Sequence, residues 1–228
     1  MPGQAIAIPV VPVAAAARLR ITETFYSLQG EADAVGWPTF FIRLTGCPLR
    51  CQYCDTAYAF HGGEWRGIDA LVDEALASGA RHACVTGGEP LAQKACLALL
   101  TKLCDAGLTV SLETSGAIDA SPVDPRVVRV IDVKTPGSGE AHRNLDLESQ
   151  RLRPHDLLKF VICDRADYEW SRERVRSHRL DAICPVLFSP SWLQLPAAQL
   201  ADWILADRLS VRFQVQLHKL LWGDTPGR

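Results

Sequence analysis

Three cysteines in eight residues constrain this chain more than any other feature. Cys47, Cys51 and Cys54 form a C-x3-C-x2-C run inside the stretch 46–56. A loop that short can turn all three thiolates toward one metal centre. A closed zinc site needs a fourth ligand, which His61 could supply. A 4Fe–4S cubane has four corners and usually takes four cysteines. With three local cysteines one iron stays open to an outside ligand, and the residues downstream have to decide between the two readings.

Those residues are Thr86, Gly87, Gly88, Glu89 and Pro90, at the end of an expected strand. Two glycines let the backbone approach a ligand closely, leaving amide and carbonyl groups to grip an amino-acid head group. Glu89 is expected to start the next helix, where the dipole favours a carboxylate. A three-cysteine loop followed by Gly-Gly-Glu-Pro resembles the radical S-adenosylmethionine (SAM) superfamily. That resemblance implies a 4Fe–4S cluster on Cys47, Cys51 and Cys54, with SAM on the open iron and its methionyl end near residues 87–89.

The hydrophobic pattern agrees with the α/β architecture this implies. Strands are expected at 18–26, 37–45, 82–86, 108–113, 127–133, 157–162, 182–188 and 211–216. Helical spacing marks 68–78, 92–106, 165–178 and 196–208, and more weakly 144–151. Cys96 and Cys104 fall on the apolar stripe of the second helix and read as core fillers. Alternating strands and helices call for parallel pairing. The link between the first two strands is too short for a parallel crossover, so the first strand is an appendage. The stretch 114–126 lacks a helical pattern. The expected fold is therefore an incomplete TIM-type barrel of mostly parallel strands, a radical SAM core.

One domain over 18–228 is expected, preceded by a loose, proline-interrupted arm over 1–17. That arm has no basic residue before Arg18, unlike a secretory signal. Eight cysteines without an export signal point to a reducing, cytoplasmic setting. A net charge of −2 with no dense Lys/Arg run excludes a large nucleic-acid footprint. No apolar run is long enough to span a membrane.

Loops after parallel strands open on one face, where function gathers. Six strand ends carry polar or metal-binding groups, among them Glu113, the 132–134 segment, Ser189–Ser191 and Gln216–Lys219. The segment Phe25–Glu31, Arg43, the Cys54–Thr56 triplet, residues 113–116 and Gln216–Lys219 together resemble the 7-carboxy-7-deazaguanine synthase family. The similarity covers most of the chain from residue 20 onward. It implies ring contraction of 6-carboxy-5,6,7,8-tetrahydropterin with loss of ammonia, a carbon–nitrogen lyase step of 7-deazapurine (queuosine) biosynthesis.

Carried over by matching position, Leu28, Gln29, Gly30, Glu31, Arg43, Thr86 and His218 are substrate-side residues, with Arg43 and His218 as catalytic candidates. Gly87, Gly88, Glu89, Asp132, Val133, Lys134, Ser189, Pro190 and Ser191 are implied on the SAM side. Thr56 is implied as a ligand of Mg²⁺. A homodimer and an external, flavodoxin-like electron donor are also implied. Arg43 suits a carboxylate through its planar fork. Two other readings remain: a radical SAM activase acting on a partner protein, and a non-catalytic Fe–S or zinc module.

Overall fold

The computed structural model describes residues 17–225 and 227. The expected arm over 1–17 lies outside the described residues, Ala17 apart. Nine strands form one open sheet, in the order β3-β1-β2-β4-β5-β6-β7-β8-β9. They are β1 Arg18–Leu28, β2 Pro38–Leu44, β3 Glu64–Gly67, β4 His82–Gly87, β5 Thr109–Thr114, β6 Val128–Asp132, β7 Leu157–Ile162, β8 Val186–Pro190 and β9 Arg212–Phe213. From β2 through β4 to β9 every neighbour is parallel; β1 pairs antiparallel with both β2 and β3. The first strand is thus an appendage, as its short link requires, and the parallel sheet is an unclosed barrel.

Helices α1 Ile68–Ala77, α2 Cys96–Asp105, α3 Arg165–His178 and α4 Ala197–Ala206 follow strands of that sheet, and α5 Leu217–Trp222 ends the chain's regular structure. Each long helix buries one stripe: Ile68, Leu71 and Ala75 on α1, Cys96, Leu99, Leu100 and Leu103 on α2. These meet the outward residues of β2, β4 and β5 in one apolar cluster. Tyr168, Val175, Leu200 and Ile204 do the same over β7 and β8 in a second. A third, smaller cluster, made of Ala32, Val130, Leu157 and Leu187, lies on the inner face and forms the floor of the barrel. Because side chains alternate along a strand, Asp132 and Lys159 stand on that same inner face, one step above Val130 and Leu157.

Several boundaries depart from the expectations. The second helix starts at Cys96 rather than 92, since residues 90–92 form a 3-10 turn capped by the Glu89 side chain. Residues 147–151 form turns, and 144–146 carry no regular structure. There the Asn144 amide is engaged with the Lys134 backbone in both directions, ten positions away, and Asp146 accepts from Glu148 N, bonds that compete with a helix. The eighth strand begins at Val186, after a 3-10 turn at Leu180–Ala182 and Pro185. The ninth is two residues long, and Gln214 then turns inward to bond Ala32 through its side chain. β3 and α5 carried too few patterned residues to be expected.

The helix-less links before and after β6 are held by Arg129, which is fully buried with Asp156. Its Nε and Nη2 bond the two Asp156 oxygens at 3.1 and 2.5 Å, and its remaining donors reach the carbonyls of Ala120, Gln150 and Arg151. All five guanidinium donors are thereby satisfied.

Candidate active site

The loops after the parallel strands enclose one cavity of about 520 Å³. Its mouth is the cysteine loop after β2. Glu140 accepts from Arg50 N at 2.7 Å, and the Arg50 guanidinium lies 4.2 Å over Phe60. Gln52 N reaches Ser138 O at 3.1 Å. So anchored, the loop presents Cys47, Cys51 and Cys54, half-buried and free, to the cavity. Burial pushes the Cys51 thiol up to about 11, with Lys134 pulling the other way. His61 is exposed and off the cavity, so it is not placed to close a zinc site.

The glycine pair sits against this loop. A Cβ on Gly88 would lie 2.1 Å from Gly46 O and 3.0 Å from Cys47 Cβ, so only glycine fits. Glu89 N donates to Gly46 O at 2.8 Å. The Glu89 carboxylate turns the other way and is fully buried, accepting from Leu91 N, Thr114 Oγ1, and Ser115 N and Oγ. It joins the ends of β4 and β5, and does not line the cavity. Its expected place at the start of a long helix is therefore corrected.

Across from the glycines, Lys134 Nζ meets Asp132 Oδ2 at 3.1 Å and lies 5.9 Å over the Tyr53 ring. Both line the cavity, as does Ser191. Val133 packs into the outer core instead, Ser189 donates to Gln214 O at 2.8 Å, and Pro190 is buried within β8. The structure thus brings Gly87, Gly88, Asp132, Lys134 and Ser191 together, and leaves the side chains of Glu89, Val133, Ser189 and Pro190 off the cavity. Neighbouring strand residues point to opposite faces, which a resemblance of segments does not resolve.

Leu28, Gln29, Gly30, Glu31, Arg43, Thr86 and His218 all line the cavity. Arg43 pairs with Glu23 at 2.7 Å, flanked by the rings of Phe25 and Tyr58. A Cβ on Gly30 would fall 2.1 Å from His218 Nδ1. Gly30 O accepts from Leu217 N at 3.0 Å, which seats α5 on the segment after β1. Burial lowers the His218 pKa, against the opposing charges of Glu31 and Asp55. Thr56 lines the cavity beside Cys54, its Oγ1 3.8 Å from the thiol.

Two ion-pair networks escaped the sequence reading, although Lys219 itself stands in the Gln216–Lys219 segment. Lys219 Nζ bridges Asp55 and Asp224 at 2.9 and 3.1 Å, tying α5 to the cysteine loop. Lys159, from the middle of β7, meets Glu31 at 2.5 Å, with Asp132 at 3.6 Å and Glu113 at 3.9 Å. Burial lowers the Lys159 pKa, but the three carboxylates outweigh it and hold the amine well above its ordinary value. A lone lysine in Leu157–Ile162 was the available signal. Four buried polar atoms lining this cavity have no partner among the described residues: Gln29 Nε2, Tyr53 OH, Glu113 Oε1 and Asp132 Oδ1. A buried polar group normally has a partner, so these four mark where a ligand belongs.

Comparison with known proteins agrees with this geometry. The model of the radical SAM superfamily matches residues 41–132, from β2 to the end of β6. The 7-carboxy-7-deazaguanine synthase of Chlorobaculum tepidum is 42% identical over 214 residues, covering 91% of this chain and 96% of its own. The chain belongs to the 7-carboxy-7-deazaguanine synthase family. A second member, from Koribacter versatilis, is 41% identical over 224 residues, covering 90% of this chain and 97% of its own. The crystal structure of QueE from Escherichia coli superposes with a TM-score of 0.73 at 25% identity, over 88% of this chain and 95% of that one. Among the described residues no helix is long and apolar enough to cross a membrane.

Proposed function

We propose that the protein contracts 6-carboxy-5,6,7,8-tetrahydropterin to 7-carboxy-7-deazaguanine with release of ammonia, a radical SAM step of queuosine biosynthesis. Family membership supports the reaction, and one observation carries it to this site. A single cavity has three free thiols at its mouth and, on its floor, charged groups with unpartnered buried atoms.

The donor set fits the cofactors. Three thiolates can each take one iron, and Gly88 packs so closely on Gly46 and Cys47 that its backbone stands directly beside the cysteine loop. The cluster and SAM, when bound, supply the one-electron and hydrogen-abstraction chemistry, which belongs to the cofactor rather than the protein. The chain's own residues bind and orient. Gly87 and Gly88 offer backbone groups to the methionyl end of SAM, while Asp132, Lys134 and Ser191 face it across the cavity. Arg43 exchanges Glu23 for the substrate carboxylate, a paired, charge-assisted contact. The Thr56 hydroxyl suits a hard Mg²⁺ ion that keeps several waters. His218, its pKa lowered by burial, stays neutral near pH 7 and can accept a proton. Gln216, His218 and Lys219 line the cavity from α5 and its approach, which suits a small ligand better than a protein one. A homodimer, a flavodoxin-like electron donor and a cytoplasmic location complete the reading.

Anaerobic turnover of the carboxylated tetrahydropterin with SAM and reductant, with and without Mg²⁺, is the test. Formation of the ring-contracted product is expected. Its absence, with SAM still cleaved, would favour action on a partner protein. Cys51→Ala is expected to lose the iron of the reconstituted chain; full iron retention would remove the cluster from this loop.

A further inference from the structure

The side of the cavity assigned to SAM is held from behind by a residue that does not line it. Asp167 is buried in the first turn of α3, outside the cavity. Its Oδ1 accepts from Gly137 N at 2.7 Å, and its Oδ2 from Thr135 Oγ1 and Cys163 N, each at 3.0 Å. Helix capping explains little of this. Asp164 is the N-cap of α3 and accepts the Asp167 N–H itself, and a carboxylate serving only the helix start would turn back to the residues just before it. Two of the three bonds go instead to the loop after β6, 30 and 32 positions away. The fit there is close, since a Cβ on Gly137 would collide with the Asp167 carboxylate.

That loop passes its position onward. Ser138 Oγ donates to Thr135 O at 2.6 Å and accepts from Glu140 N at 3.0 Å, so residues 135–140 are tied together. Ser138 O then accepts from Gln52 N, and Glu140 from Arg50 N. The cysteine loop thus has two anchors. Gly46, at its start, rests on Gly88 and Glu89, while Arg50 and Gln52, on either side of Cys51, rest on Ser138 and Glu140. The second anchor hangs on Asp167. Lys134, which lies over the Tyr53 ring of the cysteine loop, directly precedes Thr135. We infer that Asp167 is a positioning residue for SAM: it fixes the cysteine loop and Lys134 relative to each other and so sets the affinity for SAM, while touching neither cofactor nor substrate. This rests on the SAM-binding half of the proposed function and is independent of the pterin. The position needs a carboxylate. Gly137 N and Cys163 N are both donors and face different oxygens, so an asparagine of the same shape sets its NH2 against one of them. An N–H facing an N–H in a buried site loses its bond and pushes the loop away.

The test titrates the cluster-loaded, reduced enzyme with SAM in the absence of pterin and reads binding from the change in its electron paramagnetic resonance signal. Asp167→Asn is expected to raise the Kd for SAM about 10-fold or more, the usual effect of losing a supporting contact behind a ligand site. Iron content, and the KM for the pterin at saturating SAM, should stay at wild-type values. A purely structural role gives a different result, a lower unfolding free energy with an unchanged Kd for SAM in the folded fraction, and that result overturns the inference. Equal weakening of SAM and pterin also overturns it. Should Asp167→Asn fail to load its cluster, Thr135→Val decides, because it keeps the shape and removes one of the three donors. A rise of about 3-fold in the Kd for SAM is then expected, and an unchanged Kd overturns the inference. A wild type whose signal ignores SAM refutes the SAM reading and takes this inference with it. A wild type that binds SAM but forms no ring-contracted product refutes the proposed reaction only, and the titration still decides on Asp167.

Discussion

Two of the cations buried among the described residues, Arg129 and Lys159, are built in opposite ways. Arg129 lies outside the cavity with every donor satisfied, two on Asp156 and three on carbonyls. Lys159 lies on the inner face among three carboxylates, of which Glu113 and Asp132 each keep a buried oxygen without a partner among the described residues. The first is a closed network whose work ends with folding, since it pins two connections that have no helix. The second is open, and its unmet hydrogen bonds are available to a ligand. Burial of charge alone does not separate a structural group from a functional one. Saturation does.

The contrast can be broken by experiment. Arg129→Met strands the Asp156 carboxylate in the core and should cost about 3–5 kcal/mol in urea unfolding, while the folded fraction keeps its kcat/KM. A large loss of specific activity in that variant would erase the distinction. Lys159→Met should do the reverse, lowering kcat/KM by about 100-fold or more through misplaced Glu31 and Glu113, with a smaller loss of stability than Arg129→Met.

The open network also leaves a signature in pH. The Glu113 pKa is about 7 in the native chain against an ordinary value of 4.5. Between those values the native state binds the extra proton, so this group's contribution to stability falls as pH rises from 4.5 to 7 and is level above. Glu113→Gln removes the penalty, and between pH 5 and pH 8 the variant should gain on the wild type by about 1–3 kcal/mol in unfolding free energy. A constant difference would mean that Glu113 is not held protonated by burial.

The smallest effect concerns the seat of α5. Gly30→Ala places a methyl group against His218, and displacing that ring should raise the KM for the pterin about 10-fold without lowering iron content. An unchanged KM would separate His218 from substrate binding.

Local signals settled much of this protein. The three cysteines and the glycine pair were legible because each is a contiguous stretch whose chemistry needs only its own residues. The stripes of α1 and α3 matched 68–78 and 165–178 closely, since one helix face meets one core. Residues 144–151 and the short β9 were misread because the bonds that shape them, Asn144 to Lys134 and Gln214 to Ala32, reach up to 182 positions along the chain. Tertiary structure alone decided which member of each segment faces the cavity: Asp132 and Lys134 rather than Val133, and Ser191 rather than Ser189. It alone gathered Glu31, Glu113, Asp132 and Lys159 from four separate elements. Sequence carries the identity of each group. Whether a neighbour satisfies that group depends on distances set by strand register and barrel curvature, which no single stretch contains.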